Sequence, residues 1–144
     1  MVKNKKQNGF TLVELMVVLV IIGILSSMAI PKFMGLANKT KATECKVVLT
    51  QIHTLQSIYH MENTSYAKSN TTVGFKPPVG KSNYEYTVQS GAKGDIVGSA
   101  KLIIDLGKNT KNKSVCINSL KVITAETSEL ASLLNSEQNP DCSF

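Results

Sequence analysis

Residues 8–33 read NGFTLVELMVVLVIIGILSSMAIPKF. From Phe10 to Ile30 the only charged side chain is Glu14. A helix of that length spans roughly 31 Å at about 1.5 Å per residue, which matches the hydrocarbon core of a bilayer. The stretch reads as a membrane-crossing helix, yet it holds an acid near its start, where a lone carboxylate in lipid is costly. A basic start ahead of an apolar run is also the pattern of an export signal. This run is longer than an ordinary signal core. No small-x-small site followed by polar residues closes it; Ser26-Ser27-Met28-Ala29 comes nearest, but Ile30-Pro31 follows.

The whole chain has 144 residues, enough for about one domain. With the first third committed to one segment, about 90 residues remain for a compact head, near the small end for an independent core. Such a head gains from a long helix to pack on, or from a disulfide. The net charge is +6, half of it carried by Lys3, Lys5 and Lys6. The body is only mildly basic, with no dense stripe of basic residues and interleaved aromatics, so nucleic-acid binding is not indicated. Lys32, Lys39, Lys41 and Lys46 follow the apolar run closely, so the lysines do not orient it. The cysteines and the size of the downstream body favour export of the C-terminal part.

Cys45, Cys116 and Cys142 are the three cysteines. They lack metal-ligand spacing, and in an exported body they read as one disulfide plus one free thiol. A Cys116–Cys142 bridge would tie down the C-terminal end; Cys45 could instead pair with either one.

Gly9-Phe10-Thr11-Leu12-Val13-Glu14, behind a short lysine-rich leader and ahead of an apolar helix, resembles the class III signal of type IV pilins. The resemblance runs on through Ile30-Pro31-Lys32-Phe33, covering about the first 55 residues well and the rest in outline. It implies that a prepilin peptidase cuts between Gly9 and Phe10 and that Phe10 becomes an N-methylated first residue. Glu14 then acquires a physical role. It lies about 6 Å deeper along the helix than the new amine, and an amine in the same layer offsets the cost of the carboxylate. In a packed fibre the amine of an incoming subunit meets Glu14 of a neighbour already in place. A misregistered subunit leaves both charges unpaired in an apolar core, which is expensive. On this reading Glu14 sets the register; the plainer alternative is a carboxylate that reaches back to the interface.

Pro31 lacks an N–H and clashes with the preceding turn, so it should interrupt the helix. Gly23 and Gly35 are further soft points. The resemblance implies that this stretch bends or partly melts on packing; a simple kink is the alternative. Beyond Pro31 the apolar residues Cys45, Val48, Leu49, Ile52, Leu55, Ile58 and Tyr59 recur at three- and four-residue steps, predicting an amphipathic half-helix that ends near Asn63. His53 and His60 sit two turns apart, roughly 10 Å, too far to share one metal ion; they read as solvated. Residues 63–83 form an irregular connection, either an adhesive surface or an inert linker. Four Asn-x-Ser/Thr triplets, at Asn38, Asn63, Asn70 and Asn112, are weak signals for a glycan.

Alternation at Tyr84, Tyr86 and Val88 predicts a strand. Residues 96–106 predict a second, with Gly98 a possible bulge, and 115–124 a third; 128–135 form a short helix or an edge strand. The expected fold is α+β: a long N-terminal hydrophobic and amphipathic helix packed on a small antiparallel sheet, the order of elements found in the pilin fold. The expected divisions are a removed leader (1–9), a transmembrane or filament-core helix (10–31), an amphipathic half-helix (32–62) and a globular head (63–144).

The sequence has no Gly-rich phosphate loop, no Gly-x-Ser-x-Gly elbow and no His-Glu-x-x-His. It gives no reason to expect an enzyme, a cofactor or a metal. The resemblance implies a structural subunit of a type IV pilus, in the inner membrane before assembly and in an extracellular surface filament afterwards. Its partners are then other copies of itself, the prepilin peptidase, the inner-membrane pilus assembly machinery, and the membrane before assembly. One alternative is a pseudopilin of a type II secretion system. Against it, Thr64-Ser65-Tyr66-Ala67 stands where a major pseudopilin typically carries Gly-x-Tyr-Pro, and the tail lacks an acidic calcium-binding loop. Another alternative is a membrane-anchored exported binding module.

Overall fold

The computed structural model describes residues 9–92, 95–107 and 109–143. Residues 1–8, which hold most of the expected 1–9 leader, and Phe144 lie outside the described residues. The elements run α1 (Leu12–Asn63), β1 (Tyr84–Val88), β2 (Ile96–Leu102), β3 (Ser114–Asn118), β4 (Ile123–Ala125), α2 (Ser128–Leu134), β5 (Glu137–Gln138) and a 3-10 turn (Pro140–Cys142). The sheet order is β1-β2-β3-β4-β5. Its first three pairings are antiparallel, and β5 joins β4 in parallel. The chain divides into two compact units, Met1–Ala37 and Asn38–Phe144.

In the second unit, α1 buries Ala42, Cys45, Leu49, Ile52 and Gln56. Their spacing of three and four residues puts them on one face, and they share a core with Tyr84, Tyr86 and Val88 of β1, Ala100 and Leu102 of β2, and Val115 and Ile117 of β3. Helix α2 adds Leu130, Ala131 and Leu134. The alternating strand residues that miss this core serve a smaller cluster of Ile96, Cys116 and Cys142. Gly98 answers two needs. The β2–β3 register shifts between Ile96 and Gly98, as a bulge requires. A Cβ there would also lie 2.6 Å from Ile52 Cγ2, so only glycine admits the helix this close.

Several expectations are corrected. Pro31 does not interrupt α1, which is assigned as one helix through Gly23 and Pro31. A proline removes a single N–H, and the turns on either side of it keep their own hydrogen bonds. The second strand stops at Leu102 rather than 106. There Asp105 Oδ1 accepts from Gly107 N–H at 2.9 Å and from the Thr110 hydroxyl at 3.2 Å, turning the chain. The stretch 115–124 is two strands. Asn118 Oδ1 accepts from Val122 N–H at 2.8 Å, and Lys121 takes a φ of 66°, folding a hairpin between them. Residues 128–134 are helical because Thr127 caps them, its side chain accepting from Leu130 N–H, and Asn135 closes the end in the left-handed region at φ 53°. The 63–83 connection is no free linker: Ala67 and Phe75 are buried in the core.

Candidate functional site

Between Gly9 and Ala37 every residue is exposed. The most apolar 18-residue window of α1 has a mean hydropathy of 2.6 and none of it is buried, so by length and composition the helix can cross a membrane. Val13, Met16, Val17, Val20 and Ile21 line an open apolar groove of about 370 Å³. Water disfavours an apolar surface of this kind.

Glu14 stands at the head of this surface. Helix α1 starts at Leu12, which makes Thr11 its N-cap and Glu14 the third helical residue. Glu14 Oε2 accepts from Thr11 N–H at 2.9 Å and from the Thr11 hydroxyl at 2.7 Å. Thr11 Oγ1 in turn accepts from Glu14 N–H at 3.3 Å. This reciprocal pair is a capping box, and the spacing Thr11-x-x-Glu14 is its sequence signal, which the reading above passed over. Both bonds to the carboxylate fall on Oε2. The acid therefore satisfies the Thr11 N–H, and Thr11 Oγ1 the Glu14 N–H, two donors that no earlier turn can reach, while the negative charge sits at the positive end of the helix. Phe10 is 85% exposed, and a Cβ on Gly9 would meet nothing within 4 Å.

The other predicted residues are distributed through the second unit. Cys116 and Cys142 form the disulfide, with Cα atoms 5.7 Å apart. It fixes the turn at Pro140–Cys142 to β3. Cys45 is free and buried; burial pushes its thiol up to about 12. His53 is not solvated in the way expected: its Nε2 lies 2.9 Å from Ser119 O, holding the β3–β4 turn to α1. His60 is exposed and stacks on Tyr66 with ring centroids 4.5 Å apart. Among the described residues no group of three His, Cys, Asp or Glu side chains is placed to hold a metal ion. Asn70 is engaged in hydrogen bonds at both amide atoms, which argues against its triplet as a glycan site.

Gln56 was unforeseen. It is fully buried on the core face of α1, where the periodicity suggested only an apolar stripe. Its Nε2 donates to Ala67 O at 3.0 Å and to Gln89 O at 2.6 Å, and its Oε1 accepts from Ala67 N–H at 2.9 Å. One amide thus joins the helix, the 64–83 connection and the end of β1. Nothing in a lone glutamine on a helix announces this.

The profile described as the prokaryotic N-terminal methylation motif matches residues 4–30. The type IV major pilin protein PilA of Myxococcus xanthus (strain DK1622) is 40% identical over 92 residues, covering 64% of this chain and 41% of that protein. The type IV major pilin protein PilE1 of Neisseria gonorrhoeae is 25% identical over 114 residues, 79% of this chain and 69% of that one. The N-terminal part of the chain is thus similar to that of type IV major pilins. The likeness is not confined to pilins: the type II secretion system core protein G of Escherichia coli (strain K12) is 43% identical over 67 residues, 45% of either chain. The chain spans 41% of the length of the Myxococcus relative. The methylation motif, residues 4–30, lies within the first unit, whose residues from Gly9 to Ala37 are all exposed.

Proposed function

We propose that this chain is a structural subunit of a type IV pilus. Prepilin peptidase removes residues 1–9 by cutting between Gly9 and Phe10, and Phe10 is N-methylated. Residues 10–31 hold the subunit in the inner membrane and then form the filament core, with Gly23 and Pro31 as points where the helix can yield on packing. Residues 32–62 connect this core to the 63–144 head, which the Cys116–Cys142 bridge closes. The inner-membrane assembly machinery drives polymerisation into a surface fibre for adhesion, motility or DNA uptake.

The observation that carries this reading is the exposed apolar helix with one carboxylate at its head. Because Glu14 gives only Oε2 to its own cap, Oε1 is left to meet the amine of an incoming subunit. Shearing cells and identifying the fibre protein by mass spectrometry tests the proposal: long fibres of this chain beginning at methylated Phe10 are expected. Native product that keeps its leader, or that exists only as single subunits, would overturn it.

The likeness to type II secretion core protein G supports a second reading, a subunit of a short pseudopilus. Its outcome differs: no abundant surface fibre, and a secretion defect on deletion.

A further inference from the structure

Strand β1 is a terminal strand of the sheet. Gln89 N–H donates to Val97 O at 2.9 Å, and the register pairs Tyr86 with Ala100 and Val88 with Gly98. Hydrogen-bonding direction alternates along an antiparallel ladder. The backbone groups of Glu85 and Thr87 therefore face β2, and those of Tyr84, Tyr86 and Val88 face outward. An outward row of this kind is a template for another strand.

Two side chains from the 64–83 connection occupy that row. Asn70 Nδ2 donates to Tyr86 O at 3.1 Å, and Asn70 Oδ1 accepts from Val88 N–H at 2.8 Å. Its primary amide stands where the peptide of a neighbouring strand would. Ser82 Oγ accepts from Tyr84 N–H at 3.2 Å and lies 3.0 Å from Tyr84 O.

We propose that Asn70 and Ser82 are a cover that keeps the β1 edge from pairing with the same edge of a second copy of this chain. The sequence of β1 suits itself as the occupant. Two copies related by a two-fold axis and antiparallel about Tyr86 set Tyr84 of one against Val88 of the other, so outward groups meet outward groups. The exposed Glu85 then faces the second copy's exposed Thr87 in both halves, with no like charges opposed. Closing this edge leaves assembly to other surfaces. The inference does not rest on the filament reading, because edge pairing is measured on the unassembled chain.

The test uses full-length chain in detergent micelles, followed by sedimentation equilibrium and amide hydrogen exchange. Asn70→Ala/Ser82→Ala is expected to self-associate at least tenfold more tightly than the parent, with the Val88 amide gaining protection as concentration rises. On that background Thr87→Lys, set against Glu85 twice, tightens association, and Thr87→Glu weakens it tenfold or more. The single Asn70→Ala leaves Ser82 in place and shows the same contrast with a smaller gain; it decides the matter if the double variant does not fold. Self-association unchanged from the parent, or raised but indifferent to Thr87→Lys and Thr87→Glu, overturns the proposal.

Discussion

Between Leu12 and Met34 α1 exposes all its large apolar side chains, from Leu12 at 73% to Met34 at 65%, whereas between Ala42 and Gln56 it buries one face, with Cys45, Leu49 and Ile52 at 0%. Both stretches are α-helix, and both carry apolar surface that water disfavours. The later one alternates buried and exposed sides with helical period, since its own sheet supplies the covering layer. The earlier one is apolar all round, with no period, and its cover must come from lipid or from other chains. Periodicity thus records where the partner is: inside the chain or outside it.

The sharpest way to break this comparison is at the junction ahead of α1. Gly9→Val disturbs nothing in the fold, since a Cβ there meets no atom within 4 Å. Any effect must then fall on the peptidase. Loss of processing and of all fibres is expected, with the head folded as before. Intact mass of the cell-associated protein checks this; a product that begins at Phe10 in normal amount would refute the need for glycine at position 9.

Glu14 separates the two uses of one carboxylate. Glu14→Gln keeps an acceptor for Thr11 and so keeps the cap, but has no charge to offer an amine. Glu14→Ala loses both. If the charge sets register, both variants insert into the membrane normally and both lower fibre yield tenfold or more. If capping is the whole role, Glu14→Gln assembles like the parent and Glu14→Ala alone fails. Quantifying sheared fibres against membrane-bound subunit distinguishes the two.

Within the packed unit, Leu49→Ala opens a cavity in a fully buried site and is expected to cost roughly 3 kcal/mol. Leu19→Ala removes the same atoms from a side chain that is 61% exposed, and should leave head stability within about 0.5 kcal/mol. Chemical denaturation of detergent-solubilised chain, followed by tyrosine circular dichroism, compares them. Equal losses would mean that the first unit stabilises the head, against the contrast drawn here.

How much of this was legible depends on whether the signal was local. The long helix and the strand at Tyr84–Val88 follow from run length and alternation; the pair Cys116–Cys142 was favoured by simple anchoring, with Cys45 left open as a partner. The break in 115–124 was missed because Asn118 turns the chain with its side chain, while the residues around it are as strand-like as their neighbours. Strand β5 was missed because two residues, Glu137 and Gln138, carry no period at all; their pairing exists only once α2 has delivered them to β4. The site was read for its charge and not for its cap, although Thr11-x-x-Glu14 was visible. The roles of Gln56 and Asn70 depend on backbone groups many residues away in sequence, and no local pattern encodes them.

The smallest expected effect is a pH dependence confined to the packed unit. Burial pushes Cys45 and Tyr86 up to about 12 and raises Tyr84 as well. Each group is neutral when protonated, so the folded state holds its proton more tightly than the unfolded state does. Their contribution is fully present below about pH 9, the ordinary thiol value, and is lost as pH climbs towards about 12, because there the unfolded chain binds fewer protons. Denaturation midpoints should be flat from about pH 7 to 8.5 and fall above about pH 9, the onset set by the thiol. Cys45→Ala should lower the midpoint at neutral pH yet fall less steeply between about pH 9 and 10, since the tyrosines titrate later. An unchanged slope in that variant would mean the thiol is not held neutral by the core. None of these groups lies between Gly9 and Ala37, so the exposed unit has no share in the alkaline loss.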